Sequence, residues 1–176
     1  MNMKKIISFF IVACCAMCAT AAKVVWQIGV ADNSGTELAL GPSEYKKFLA
    51  HDFGYEDRYF LVGTSVDKND FPYVLPGPDD TWGGTWSTSG WRTHDANILF
   101  GIKKLPKHGK WKLVVDLVDA NPSRSVVKVM VNSAEKKFEI KGHSKGVLEG
   151  NLQDAKEQIL EFPISANDLK KGGNMV

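Results

Sequence analysis

The chain has 176 residues, 44% of them hydrophobic, with 22 basic and 20 acidic side chains mixed along its length for a net charge of +2. Less a targeting segment, that is one domain of about 150 residues, enough to bury a sizeable core without disulfide or metal staples. No basic stripe of the kind that neutralises phosphates is present, which argues against nucleic acid as a partner.

Residues 1–21 read as a secretory signal: Lys4 and Lys5 form a positive start, Ile6 to Cys18 an apolar run, and Ala19-Thr20-Ala21 a small-residue cleavage site. The mature domain would begin at Ala22 and be periplasmic or extracellular. An apolar run of about 13 residues is short for a membrane span. A second reading makes Ile11-Val-Ala-Cys14 a lipoprotein processing box with Cys14 acylated. All three cysteines (Cys14, Cys15, Cys18) lie in this leader, so the exported domain would carry no thiol and no disulfide.

Val24 to Val30 is the first predicted strand, apolar nearly throughout, as in a strand buried on both faces or in a sandwich core. It runs into a turn rich in oxygen donors, Asp32, Asn33, Ser34, Thr36 and Glu37. The donors suit a calcium ion, but the fixed spacing of a calcium loop is missing, and an ordinary turn with self-bonded Asx side chains is the preferred reading. No cofactor is otherwise implied. Ser43 caps a predicted short helix, Glu44 to Ala50, with Tyr45, Phe48 and Leu49 on one stripe. Arg58 to Gly63 reads as the next strand and Thr64 to Phe71 as a polar loop.

That loop opens into Tyr73 to Thr93, which holds three of the five tryptophans, Trp82, Trp86 and Trp91, among Gly, Ser, Thr and Pro. No helical or strand period places these rings on one buried face, so the stretch reads as a long loop, and long ordered loops in compact domains tend to be functional. Indole faces suit the C–H faces of a sugar, while Asp79, Asp80, Arg92 and Tyr73 can take its hydroxyls. The competing reading folds one or two of the rings back as a lid over the core.

Beyond Thr93 the pattern becomes regular. Ile98, Phe100 and Ile102 alternate; so do Trp111, Leu113, Val115 and Leu117, then Val127, Val129 and Val131, then Phe138 and Ile140, then Leu160, Phe162 and Ile164. Turn signals separate these runs. Short alternating strands without a long helix predict an all-β fold: an antiparallel sandwich of jelly-roll or galactose-binding-like type over residues 22–176, with one or two short helices. Ser165 to Gly172 reads as one capped helical turn, and Asn174-Met-Val176 as the start of a further strand. A sandwich short of a strand has an open edge, so the chain is read either as part of a longer protein or as one that borrows a strand.

Several of these strands carry a family resemblance. Trp26-Gln-Ile-Gly29, Glu37-Leu-Ala-Leu40, Tyr59-Phe-Leu-Val-Gly63, Phe71-Pro-Tyr73, Trp82-Gly-Gly84, Ile98-Leu-Phe100, Leu113-Val-Val-Asp-Leu117 and Val129-Met-Val-Asn132 resemble the sandwich domain of rhamnogalacturonan lyases of polysaccharide lyase family four. The resemblance implies a galactose-binding-like jelly roll that helps hold a plant-type polysaccharide or oligosaccharide, while elimination chemistry belongs to a separate catalytic domain, encoded adjacently if at all. It carries over no sugar-contacting residue.

The chain's own chemistry points the same way. His51, His94, His108 and His143 are widely spaced, with no zinc-ligand pattern, no nucleophile elbow and no phosphate-binding glycine loop. The surviving enzyme reading, a lyase or glycoside hydrolase, sets Asp79 or Asp80 against Asp57, Asp70 or Asp95 across a sugar. Against it, Asp79-Asp80 is ordinary content of a Pro-Gly-Pro-Asp-Asp turn. The reading of the whole is a non-catalytic carbohydrate-binding module; the other alternative is a structural module that packs on a catalytic domain.

Overall fold

The computed structural model describes residues 10–14, 23–42, 44, 58–74, 95–105, 110–120, 126–149 and 151–176. Nine strands are described: β1 (Phe10–Cys14), β2 (Lys23–Val24), β3 (Arg58–Leu61), β4 (Ala96–Ile102), β5 (Lys110–Leu117), β6 (Val126–Val131), β7 (Ala134–Glu139), β8 (Gln158–Ile164) and β9 (Gly172–Met175). They form a four-stranded sheet ordered β2-β1-β5-β8, a three-stranded sheet ordered β3-β4-β9, and the β6-β7 hairpin. Two one-turn helices, α1 (Asp67–Asp70) and α2 (Gly146–Glu149), and a 3-10 turn at Ala166–Asp168 lie between strands. The fold is an all-β sandwich.

Period-two alternation builds its core. In β4 the inward Ile98, Phe100 and Ile102 are buried, and in β8 so are Leu160, Phe162 and Ile164. β5 contributes Trp111, Leu113 and Val115, and the hairpin Val129 and Val131, to the same continuous cluster. Trp26 packs on Phe100 at 5.3 Å between ring centroids, and Phe60 meets Phe71 edge-on at 5.8 Å. Each fully buried aliphatic or aromatic side chain contributes about 1.5–3 kcal/mol, so the facing sheets are held chiefly by these alternating rows.

Four features depart from the sequence reading. The first predicted strand shortens to Lys23–Val24: the chain bends at Val25, and Gly29 further on takes φ +76°. Trp26 and Ile28 are still buried, but Val25 and Gln27 face solvent, so the segment is not covered on both faces. The polar loop before Phe71 contains α1. The sandwich is mostly antiparallel, yet β3 runs parallel to β4, with Tyr59 beside Asn97 and Leu61 beside Leu99. Finally, the backbone of Phe10–Cys14, inside the segment read as a leader, pairs antiparallel with both β2 and β5.

The expected C-terminal strand is β9, antiparallel to β4 from Leu99↔Met175 to Ile102↔Gly172. Val176 extends it, exchanging both backbone hydrogen bonds with Ile98 at 2.8 and 2.9 Å. The capped turn before it has the predicted Ser165: its hydroxyl accepts from Asn167 N–H, and the Asp168 carboxylate accepts from Ser165 N–H, a reciprocal capping box. Of the predicted helix Glu44 to Ala50, all but Glu44 lies outside the described residues.

Candidate functional site

One end of the sandwich gathers the turns that follow β2, β5 and α2. The first of them, residues 29–41, is built by its own side chains. Gly29 N–H donates to Asp67 Oδ2 at 2.8 Å, and Val30 N–H donates to the Glu37 carboxylate. Asp32 Oδ1 accepts from the Ser34 N–H at 3.0 Å and from its hydroxyl at 2.7 Å, so Asp32 closes an Asx turn within the oxygen-rich segment. Lys68 Nζ ties the turn to α1 by donating to the Thr36 and Leu38 carbonyls.

Tyr73 is held on this turn. Its N–H donates to the Ala39 carbonyl at 3.0 Å, while Ala39 N–H donates to the Phe71 carbonyl at 2.9 Å. Its ring lies against Gly35, where a Cβ would stand 2.7 Å from Cε2 and where φ is +62°; only glycine allows both the contact and the backbone. The hydroxyl is buried and has no hydrogen-bond partner among the described residues. Burial, and then the negative charge of Asp119, push the Tyr73 phenol up to about 12, so it stays a neutral O–H donor across the physiological range.

Asp119 organises the opposite wall. Burial works against its charge, but the Ser144 hydroxyl at 2.6 Å and the N–H groups of Ala120, Lys156 and Val147 at 2.9, 3.3 and 3.4 Å donate to it and together hold it below the usual carboxylate range. Three loops are thereby fastened to one side chain. Gln158 adds a clasp: Oε1 accepts from Lys141 and Gly142 N–H at 3.0 Å each, and Nε2 donates to the Gly142 carbonyl.

Between the walls runs an open groove of about 850 Å3, with Asp32 and Asn33 on one side and Gly142, Gln153, Lys156 and Glu157 on the other. These are two carboxylates, an ammonium and amides on a loop-built scaffold, groups that exchange hydrogen bonds with hydroxylated ligands. Near it, Asp116 has both carboxylate oxygens shielded and, among the described residues, without a hydrogen-bond partner; burial, then the charge of Glu157, raise its pKa to about 7. Among the described residues no group of three His, Cys, Asp or Glu side chains could hold a metal ion.

Of the residues the sequence offered for sugar binding, Tyr73 is the one described, and the Trp-rich stretch follows it in the chain. Asp79, Asp80, Trp82, Trp86, Trp91 and Arg92 lie outside the described residues. Of the carboxylates proposed to pair with Asp79 or Asp80, Asp70 accepts a hydrogen bond from Val66 N–H at the start of α1. Sequence reasoning missed Asp119 and the groove. A faint signal existed in the Asp119-Ala-Asn-Pro turn, since Asp opening a turn commonly bonds backbone N–H groups, but its partners at 144–156 are set by tertiary structure.

A β-sandwich with a loop-built polar groove is an architecture shared by many functions, glycan-binding modules among them. The family comparison makes this specific: residues 24–176 match the family described as CBM-like, polysaccharide lyase family 4, domain III, and the chain belongs to that family. No curated protein and no solved structure matches the chain. Among the described residues no helix is long and apolar enough to cross a membrane.

Proposed function

We propose that the chain is a non-catalytic module that holds a plant-type polysaccharide for an exported polysaccharide-degrading protein of the rhamnogalacturonan lyase type. The observation that carries the reading is the family match across 24–176. The loop end supports it: its open groove is lined by groups that exchange hydrogen bonds with hydroxyls, Asp32, Asn33, Gln153, Lys156 and Glu157 among them. In this reading Trp82, Trp86 and Trp91 stack on sugar rings, Asp79, Asp80 and Arg92 bind hydroxyls, and chemistry comes from a separate catalytic domain. Export follows from residues 1–21, and their removal takes β1 out from between β2 and β5, opening the β5 edge.

The test is titration of the chain, with and without residues 1–21, against pectic and other plant-wall polysaccharides, followed by tryptophan fluorescence. Saturable binding is expected, weakened in folded Trp82→Ala, Trp86→Ala or Trp91→Ala variants, with no turnover. A folded chain that ignores every polysaccharide sinks the reading. Turnover abolished by Asp79→Asn or Asp80→Asn replaces it with an enzyme.

A further inference from the structure

The outer face of the β3-β4-β9 sheet carries a feature unrelated to the loop end. Phe60, Ile98, Phe100 and Asn174 point into the core, so their neighbours point out. Register sets these neighbours in rows: Tyr59 beside Asn97, then Leu61, Leu99 and Met175 in line across all three strands, then Gly101 opposite Gly173. No ionisable group other than the Tyr59 phenol stands in these rows. Tyr59 is 60% exposed, Leu61 45%, Met175 44% and Leu99 36%, a high apolar exposure for adjoining strand residues. At Gly101 and Gly173 a Cβ would meet nothing within 4 Å, which leaves a shelf of bare backbone at the end of the rows.

The Tyr59 and Asn97 row adds polarity of a particular kind. Asn97 is half-buried, and among the described residues its side-chain amide makes no hydrogen bond. Adjacent strands lie about 4.8 Å apart, so an open phenol ring and a free amide stand side by side in rows that hold no charged side chain. An amide offers donors and an acceptor that match vicinal hydroxyls, and the ring with the Leu61, Leu99 and Met175 row offers an apolar plane to a pyranose C–H face. The rows contain no cation to meet a uronate or a phosphate. They are also too few for a stable protein partner, since such interfaces engage about 20–30 residues a side.

We propose that this sheet face is a glycan platform for an uncharged sugar chain, separate from the loop end, with Tyr59 as the stacking residue and Asn97 as the hydroxyl-binding residue. The proposal rests on the carbohydrate-binding reading of the domain and adds to it a second surface and a sugar class. The test is titration of the full chain, and of its Tyr59→Ala and Asn97→Ser variants, with β-1,4-galactan and with polygalacturonate, alongside thermal unfolding. Both positions face solvent or lie half-buried at the surface, so unchanged melting is expected in both variants. The expected result is galactan binding weakened about tenfold by either change, which corresponds to about 1.4 kcal/mol, with polygalacturonate binding the same as for the original chain. Galactan binding equal in all three proteins overturns the platform while leaving the carbohydrate reading in place. Binding of neither polymer by the folded original chain removes both. Concentration-dependent self-association that Leu99→Lys abolishes, with galactan binding intact, reassigns the face to protein contact and also overturns the platform.

Discussion

The C-terminal seam and the loop end bury polar groups under opposite rules. At the seam Asn174 is 5% exposed, yet every polar atom of its side chain is used: Oδ1 accepts from Asn132 Nδ2 at 2.9 Å and Lys170 N–H at 2.8 Å, and Nδ2 donates to the Lys170 and Gly172 carbonyls at 2.9 and 3.0 Å. Asn132 answers across the seam, exchanging backbone and side-chain bonds with Met175 and donating to the Asp168 carbonyl. At the loop end the Tyr73 hydroxyl, the Asn33 side-chain oxygen and both Asp116 oxygens are shielded and unbonded. A satisfied buried amide fastens elements together, whereas unsatisfied groups subtract stability and are tolerated where a fold serves something besides itself.

The largest expected effect breaks the satisfied side. Asn174→Ala removes the partner of the Lys170 N–H, of the Lys170 and Gly172 carbonyls and of one of the two Asn132 amide donors, at about 1–3 kcal/mol for each group left without a partner. Partial relaxation brings the expected loss to about 3 kcal/mol, read as a lower urea midpoint, with early hydrogen exchange of the Ile98 and Val176 amides that join β9 to β4. A loss below about 1 kcal/mol would mean that main-chain pairing, not the side-chain lock, holds the terminal strand.

Next comes the turn beneath Tyr73. Gly35→Ala imposes a residue with a Cβ on φ +62° and drives that Cβ to 2.7 Å from the Tyr73 ring. Backbone strain alone costs about 1 kcal/mol and the collision about as much again. Combining the change with Tyr73→Ala separates the two: the cost of Gly35→Ala should fall by about half once the ring is gone. Equal costs in both backgrounds would show that the ring moves aside freely and that Tyr73 is not held against the turn.

The core was legible in the sequence because period-two alternation is a local signal: the buried rows of β4, β5 and β8 fall on the residues whose spacing picked them out. The failures share a cause in tertiary structure. Val24 to Val30 is apolar enough for a strand, but the chain bends at Val25, and the N–H groups of Gly29 and Val30 go to the Asp67 and Glu37 carboxylates instead of to a neighbouring strand. The parallel pairing of β3 with β4 is invisible to composition, because pairing direction is set by the connection between strands. Asp119 looked like turn content, and only the arrival of Ser144, Val147 and Lys156 makes it an organising residue. Tyr73 was found by its neighbours in sequence; of the groove, the Asp32 and Asn33 side showed as an oxygen-rich turn, while its meeting with residues 142–157 is set by tertiary structure.

The smallest expected effect tests the unsatisfied side, and its sign is the informative part. Asp116 has a folded-state pKa of about 7 against an ordinary 3.8, so between those values the native chain holds a proton that the unfolded chain has released. Stability therefore falls as pH rises from about 4 to 7 on account of this group; the penalty is absent below the unfolded pKa and complete above the folded one. Asp119, three residues on, acts in the opposite sense: its lowered pKa adds stability at neutral pH that is lost as acid protonates it. The two partly cancel in the whole chain, and Asp116→Asn uncouples them. Asp116 is only half-buried, so solvent screening reduces the full linkage to about 1 kcal/mol. The variant should gain about that much in urea unfolding at pH 8, gain nothing near pH 4, and leave the rising acid limb of Asp119 exposed. A pH profile parallel to that of the original chain would place the unbonded carboxylate in contact with water and remove the contrast between the two ends of the molecule.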